Sequence, residues 1–137
     1  MLNENDIVSI VAEYLSKKGY SVEKTCTTSD QGVDILARHV STGNRLLVEA
    51  KGETSSKPRS ARYGLPFNNS QVRTHVSEAV LTTLEVLSSA GFSVKTVAAI
   101  ALPKTALHER HISAVKPALD KMRVKLFWVT KNGVIES

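Results

Sequence analysis

The chain contains a single cysteine, Cys26, so no disulfide can form within it. The fold must rest on packing alone, and a lone thiol suits a reducing, cytoplasmic setting. Cys26 sits between Thr25 and Thr27 in a strand-like run with no His or Lys pattern beside it. That setting points to a structural thiol rather than a nucleophile. Long hydrophobic runs are missing too. The longest clean apolar stretch, residues 97–102, falls far short of the roughly 20 residues that cross a bilayer. No Gly/Pro/Ser-rich tract and no internal repeat divides the sequence. Its opening residues, Met-Leu-Asn-Glu-Asn-Asp, are polar and acidic where a secretory signal would be basic and then apolar. With 137 residues, 42% of them apolar and 23% charged, the expectation is one domain over residues 1–137 with a core of its own.

What is present in excess is positive charge: the formal net charge is +5. Such a balance favours polyanions, because Lys and Arg side chains that neutralise phosphates release condensed counterions. The periodicity orders the elements. Ile7, Ile10, Val11, Tyr14 and Leu15 form one helical stripe, with Asn5 or Asp6 to cap its start and Gly19 to stop it. Residues 20–27 read as a strand, and residues 33–40 and 45–51 as two more joined by a turn at 41–44. A polar loop over 52–69 leads into a long helix ending at Gly91. A strand over 94–102, a helix over 104–121 and a strand over 124–130 follow. The order αβββαβαβ predicts an α/β fold with a mixed sheet of four to five strands flanked by helices. Both faces of the hairpin strands are apolar, so both faces of the sheet should be covered.

Three charged residues break that apolar hairpin. If residues 41–44 form the loop, Val40 faces Arg45, Asp34 faces Lys51 and Leu36 faces Glu49. Alternation along a strand then turns Asp34, Glu49 and Lys51 to the same face at the open end of the hairpin. Carboxylates among Val, Ile and Leu are costly unless paired or bound to a metal. Asp34, Glu49 and the backbone carbonyl of Ala50 offer hard oxygen ligands that suit Mg²⁺ or Mn²⁺. Lys51 beside them can orient water and offset charge on a phosphate, an arrangement that serves phosphodiester hydrolysis. Beyond Lys51 the basic residues Lys57, Arg59, Arg62 and Arg73 face a single acid, Glu53, with Tyr63 and Phe67 interleaved. Such a loop can track a phosphate backbone. His108 and His111, on adjacent turns of a helix, have no further Cys or His partner for a zinc site and read as surface histidines. Trp128 reads as core.

The segments Val11-Ala12-Glu13-Tyr14-Leu15, Lys18-Gly19-Tyr20-Ser21-Val22, Asp30-Gln31-Gly32-Val33-Asp34 and Glu49-Ala50-Lys51 together resemble the PD-(D/E)xK nuclease superfamily, of restriction-endonuclease-like fold. The nearest branch is the one containing modification-dependent restriction enzymes and archaeal Holliday-junction resolvases. Val33 stands where the proline that names the motif would be. The resemblance implies a three-layer fold and Mg²⁺-dependent cleavage of DNA, with Asp34 and Glu49 as metal ligands and Lys51 as the catalytic lysine. Gln71 would support the site or the substrate. A metal-associated acid about three turns before Gly19 is also implied; Val8 occupies that place, and Asp6 and Glu13 are the acids considered. So small a unit would cut two strands as a homodimer or within a larger complex. The rival reading is a nucleic-acid-binding module that keeps the fold without catalysis.

Overall fold

The structure is a computed structural model that describes residues 1–25, 33–90 and 95–137. Cys26, the Asp30-Gln31-Gly32 segment and the helix stop at Gly91 lie outside the described residues. The chain begins with a helix, α1 (Glu4–Lys17), capped by Asn3. The Asn3 side chain accepts the Asp6 N–H at 2.9 Å while the Asp6 carboxylate accepts the Asn3 N–H at 2.9 Å. This reciprocal box, worth about 1 kcal/mol, starts the helix before the expected Asn5 or Asp6. Ile7, Val8, Val11 and Leu15 are its buried stripe.

Six strands form one sheet in the order β1 (Tyr20–Thr25), β2 (Ile35–His39), β3 (Arg45–Ala50), β4 (Thr96–Pro103), β5 (Lys125–Thr130) and β6 (Gly133–Glu136). The first three pair antiparallel, β3, β4 and β5 pair parallel, and β6 returns antiparallel on β5. The sixth strand exceeds the expected four to five. It follows a tight turn in which Thr130 pairs with Gly133 across Lys131 and Asn132. A two-residue loop is the commonest hairpin connection, and Gly133 just after it takes a φ of +143°. The parallel crossovers carry α2 (Asn69–Ala90) between β3 and β4, and α3 (Ala106–Ser113) with α4 (Lys116–Lys121) between β4 and β5. The single helix expected over 104–121 breaks because Pro117 falls in the first turn of α4. Proline has no N–H to give and disfavours helical geometry in the residue before it.

The β2–β3 register differs from the simplest hairpin. Arg38 pairs with Arg45 and Leu36 with Leu47, so the pairing is displaced by two residues from the expected one. The loop is wider, residues 40–44, closed by His39 N–H to Asn44 O and Gly43 N–H to His39 O, both 2.8 Å. Because strand side chains repeat every two residues, a two-residue displacement leaves every side chain on the face it was expected to occupy.

The core lies on both faces of the sheet. Alternate residues Ile35, Ala37, Leu46, Val48, Ala50, Ala99, Ala101, Phe127 and Val129 pack under α1. Their neighbours on the opposite face, Ala98, Ile100, Leu102, Leu126 and Trp128, pack under Val72, Val76 and Ala79 of α2, Ile112 of α3 and Leu119 of α4. Three layers result: one helix, a sheet, and three helices. Trp128 belongs to the core, as expected. Among the described residues no helix is long and apolar enough to cross a membrane.

Candidate active site

The parity of β3 sends Val48 and Ala50 under α1 and Glu49 to the α2 face. Asp34, immediately before β2, is brought against the same strand: the Ala50 N–H donates to Asp34 Oδ2 at 2.7 Å. Both acids are buried, Asp34 at 6% exposure and Glu49 at 8%. Lys51 follows β3 directly, with its N–H bonded to the Ala101 carbonyl at 3.1 Å. Its ammonium lies 3.9 Å from Glu49 Oε1 and 3.5 Å from Glu78 Oε2, on α2. Asp34, Glu49 and Lys51 therefore converge, through a register different from the expected one.

A fourth acid joins them. Glu4, the first residue of α1, is close enough to feel the charges of Asp34, Lys51 and Glu78, and burial is the main cause of its raised carboxyl pKa. The close approach of α1 depends on Gly52. A Cβ there would meet Glu4 N at 2.5 Å and the Asn3 carbonyl carbon at 2.6 Å, so only glycine admits the helix start. Beyond it Glu53 N–H bonds to Leu2 O at 2.8 Å and Asn3 bridges to Thr54. Of the acids Glu4, Asp6 and Glu13, it is Glu4 that stands beside Asp34 and Lys51. Asp6 is occupied in the cap, and Glu13 is solvent-exposed beside Lys17 at 3.1 Å. The Asn3–Asp6 capping box was the signal that would have begun the helix early enough to find it.

Burial raises the carboxyl pKa of both central acids. Glu49 is pushed up to about 8, first by desolvation and then by the charge of Asp34, with Lys51 opposing. Asp34 is raised less freely, because the Ala50 N–H and Lys51 favour its ionised form. Two carboxyls this close do not both ionise readily, so the charge of Asp34 adds to burial in favouring the protonated form of Glu49. Glu49 Oε2 is buried and has no hydrogen-bond partner among the described residues. An orphaned carboxyl oxygen is costly to keep, and a hard cation is the partner that would satisfy it. Among the described residues, no three His, Cys, Asp or Glu side chains stand close enough to enclose a metal ion by themselves. The donor set fits an ion that retains water, as Mg²⁺ does when held by one or two carboxylates with substrate phosphate completing the shell.

Glu4 and Lys51 line a cleft of about 380 Å³ with Ser55, Lys57, Arg62 and His75, among others, while Asp34 and Glu49 are buried and do not line it. Gln71 and Glu78 line it as well, so α2 contributes Gln71, His75 and Glu78 at helical spacing i, i+4 and i+7. Gln71 also caps its helix, accepting the Asn68 N–H at 2.9 Å while its own N–H donates to Asn68 Oδ1 at 2.9 Å. Of the four cations expected to contact nucleic acid, Lys57 and Arg62 line this cleft; Arg59 is exposed on the same loop. Arg73 is not in the cleft but on a separate groove with Val76, Leu81 and His111. His108 is not a surface residue. It is 1% exposed, with Nδ1 2.6 Å from Thr105 Oγ1, and burial lowers its pKa to about 4. His75 and Glu78 went unmarked in the sequence, although their spacing from Gln71 was visible there.

Residues 2–90, from α1 through α2, match the family model Mrr_cat, described as restriction endonuclease. No curated protein and no solved structure matches the chain. The matched stretch contains Glu4, Asp34, Glu49, Lys51, Gln71 and Glu78, and it covers well over half of the sequence. The chain belongs to the Mrr_cat restriction endonuclease family, within the PD-(D/E)xK nuclease superfamily.

Proposed function

We propose that this protein hydrolyses phosphodiester bonds of DNA with the help of Mg²⁺ or Mn²⁺. The observation that carries the reading is the orphaned Oε2 of Glu49, a buried carboxyl beside Asp34 whose other oxygen lies 3.9 Å from the Lys51 ammonium. Asp34, Glu49 and the Ala50 carbonyl would hold the ion, with Glu4 adding negative charge from the helix start. When bound, the ion supplies an acidified water and a counter-charge for the phosphoryl oxygens. The remaining work belongs to the chain's own residues. Lys51 orients the attacking water and offsets charge on the phosphate. Lys57, Arg59 and Arg62 hold the strand along the cleft, and Arg73 extends the contact past it. Gln71, whose side-chain oxygen is committed to the cap, offers its amide nitrogen to the substrate. Two copies would be needed to cut both strands of a duplex at one place.

The test is cleavage of supercoiled, linear and branched DNA by purified protein with Mg²⁺, Mn²⁺ or chelator, beside Glu49→Ala and Lys51→Met. Metal-dependent cleavage that both substitutions abolish is the expected result. Binding without cleavage under every metal would replace this reading with that of a binding module.

A further inference from the structure

The loop over residues 53–67, which walls the cleft, is held in place at many points. The Thr54 hydroxyl lies 2.9 Å from the Arg62 carbonyl and 2.7 Å from the Leu65 carbonyl. The Phe67 N–H bonds to Glu53 O at 2.8 Å, and Arg62 Nη1 donates to the Pro66 carbonyl at 3.3 Å. Within it, Arg62-Tyr63-Gly64-Leu65 is a tight turn closed by Leu65 N–H to Arg62 O at 2.9 Å, with Gly64 at a φ of +77°. A positive φ at the third position is what a type II turn requires, and glycine supplies it without strain.

This anchored turn displays two apolar side chains to solvent: Tyr63 is 53% exposed and Leu65 51%. Neither belongs to either core cluster of the described residues. They stand among Lys57, Arg59 and Arg62, and none of these three cations has an ion-pair partner among the described residues. An exposed aromatic and aliphatic pair on an anchored turn, in a loop that walls the cleft and carries three cations without ion-pair partners among the described residues, matches a strand that offers phosphates and uncovered bases together. A fully paired duplex offers the phosphates but keeps its base faces stacked; a single strand, bubble or junction offers both.

We infer that Tyr63 and Leu65 form a base-stacking platform that directs the cleft to DNA with unpaired nucleotides. The inference rests on the nucleic-acid reading above and deepens it by naming the substrate class. Stacking on Tyr63 tolerates any base, so the platform selects for unpaired structure and not for sequence.

Binding to the full chain in chelator, where no cleavage occurs, separates this inference from the nuclease reading, which is tested by cleavage with metal. Labelled probes of one sequence are used: a paired duplex, the same duplex with a central bubble, and the single strand. The expected preference of the wild type for bubble and single strand over duplex is about tenfold. Tyr63→Ala should remove most of it, with Tyr63→Phe retaining it, and the salt dependence should not change because no charge is lost. A 2-aminopurine in the bubble should be quenched by the wild type and not by Tyr63→Ala. Because Tyr63 is exposed, its melting temperature should stay that of the wild type. Equal affinity for duplex and bubble overturns the inference, as does a preference that Tyr63→Ala leaves intact. Self-association that Tyr63→Ala abolishes while DNA binding stays unchanged would also overturn it, by giving this face to a second copy of the chain.

Discussion

Lys51 has two carboxylates in reach, and the more exposed one is nearer: Glu78 at 3.5 Å against Glu49 at 3.9 Å. An ion bound at Glu49 and Asp34 would draw Glu49 away from the ammonium and repel it, leaving Glu78 as its holding partner. Glu78 also faces an incoming polyanion, to which its charge is unfavourable. Its two effects have opposite signs, which makes Glu78→Gln informative. We expect kcat to fall on the order of tenfold as Lys51 loses its position, while DNA binding tightens because a repelling charge has gone. Steady-state kinetics with a binding titration reads both. Tighter binding with unchanged kcat would reduce Glu78 to a repelling surface charge. None of this was legible in the sequence, where Glu78 is one acid on a long helix; only the packing of α2 on β3 gives it a partner.

At the scale of elements, the site is a junction between the end of β3 and the start of α1, and Gly52 is where they touch. Gly52→Ala puts a Cβ within 2.6 Å of backbone atoms of Asn3 and Glu4, neither of which can rotate away. Overpacking of this kind costs about 1–3 kcal/mol. The helix start must lift, carrying Glu4 from the acids it faces. The expected result is a lower melting temperature together with weakened Mg²⁺ or Mn²⁺ binding by calorimetry in a protein that still folds. Full metal affinity in the variant would remove Glu4 from the site. Much of this junction could be foreseen. Asp34, Glu49 and Lys51 were legible because strand alternation fixes which face a side chain takes, and the two-residue displacement of the hairpin preserves it. Glu4 was not, because helix starts depend on caps, and the Asn3–Asp6 box moved the start ahead of the apolar stripe. The burial of His108 was not legible for a related reason: spacing gives a residue's helix face, but not that His75 of α2 and the Gly52 backbone lie against it.

For the molecule as a whole, the buried acids and two histidines, buried His108 and half-buried His75, pull stability in opposite directions, over pH windows that overlap in acid and part above about pH 7. His108 and His75 are held neutral by burial, with pKa values below the ordinary histidine range. The unfolded chain binds their protons more readily, so their contribution is gained as pH rises and is complete by about pH 7. Glu49, raised from 4.5 to about 8, works the other way. Its contribution is fully present below 4.5 and is lost as pH rises through 8, since the folded state must then hold a charge it desolvates. Above pH 7 the carboxyl effect stands alone, and the ion-free protein should lose stability between about pH 7 and 8.5. A divalent ion reverses the cost by pairing with the ionised acids, and binding that releases a proton strengthens as pH rises. Melting temperatures in chelator should therefore fall across this window, whereas those in excess Mg²⁺ or Mn²⁺ should hold, so the gain from metal widens with pH. Glu49→Gln, which keeps the shape without the titration, should flatten the chelator curve and remove most of the metal gain. Parallel curves with and without metal, or a Glu49→Gln protein that keeps the full metal gain, would place the ion elsewhere than Glu49.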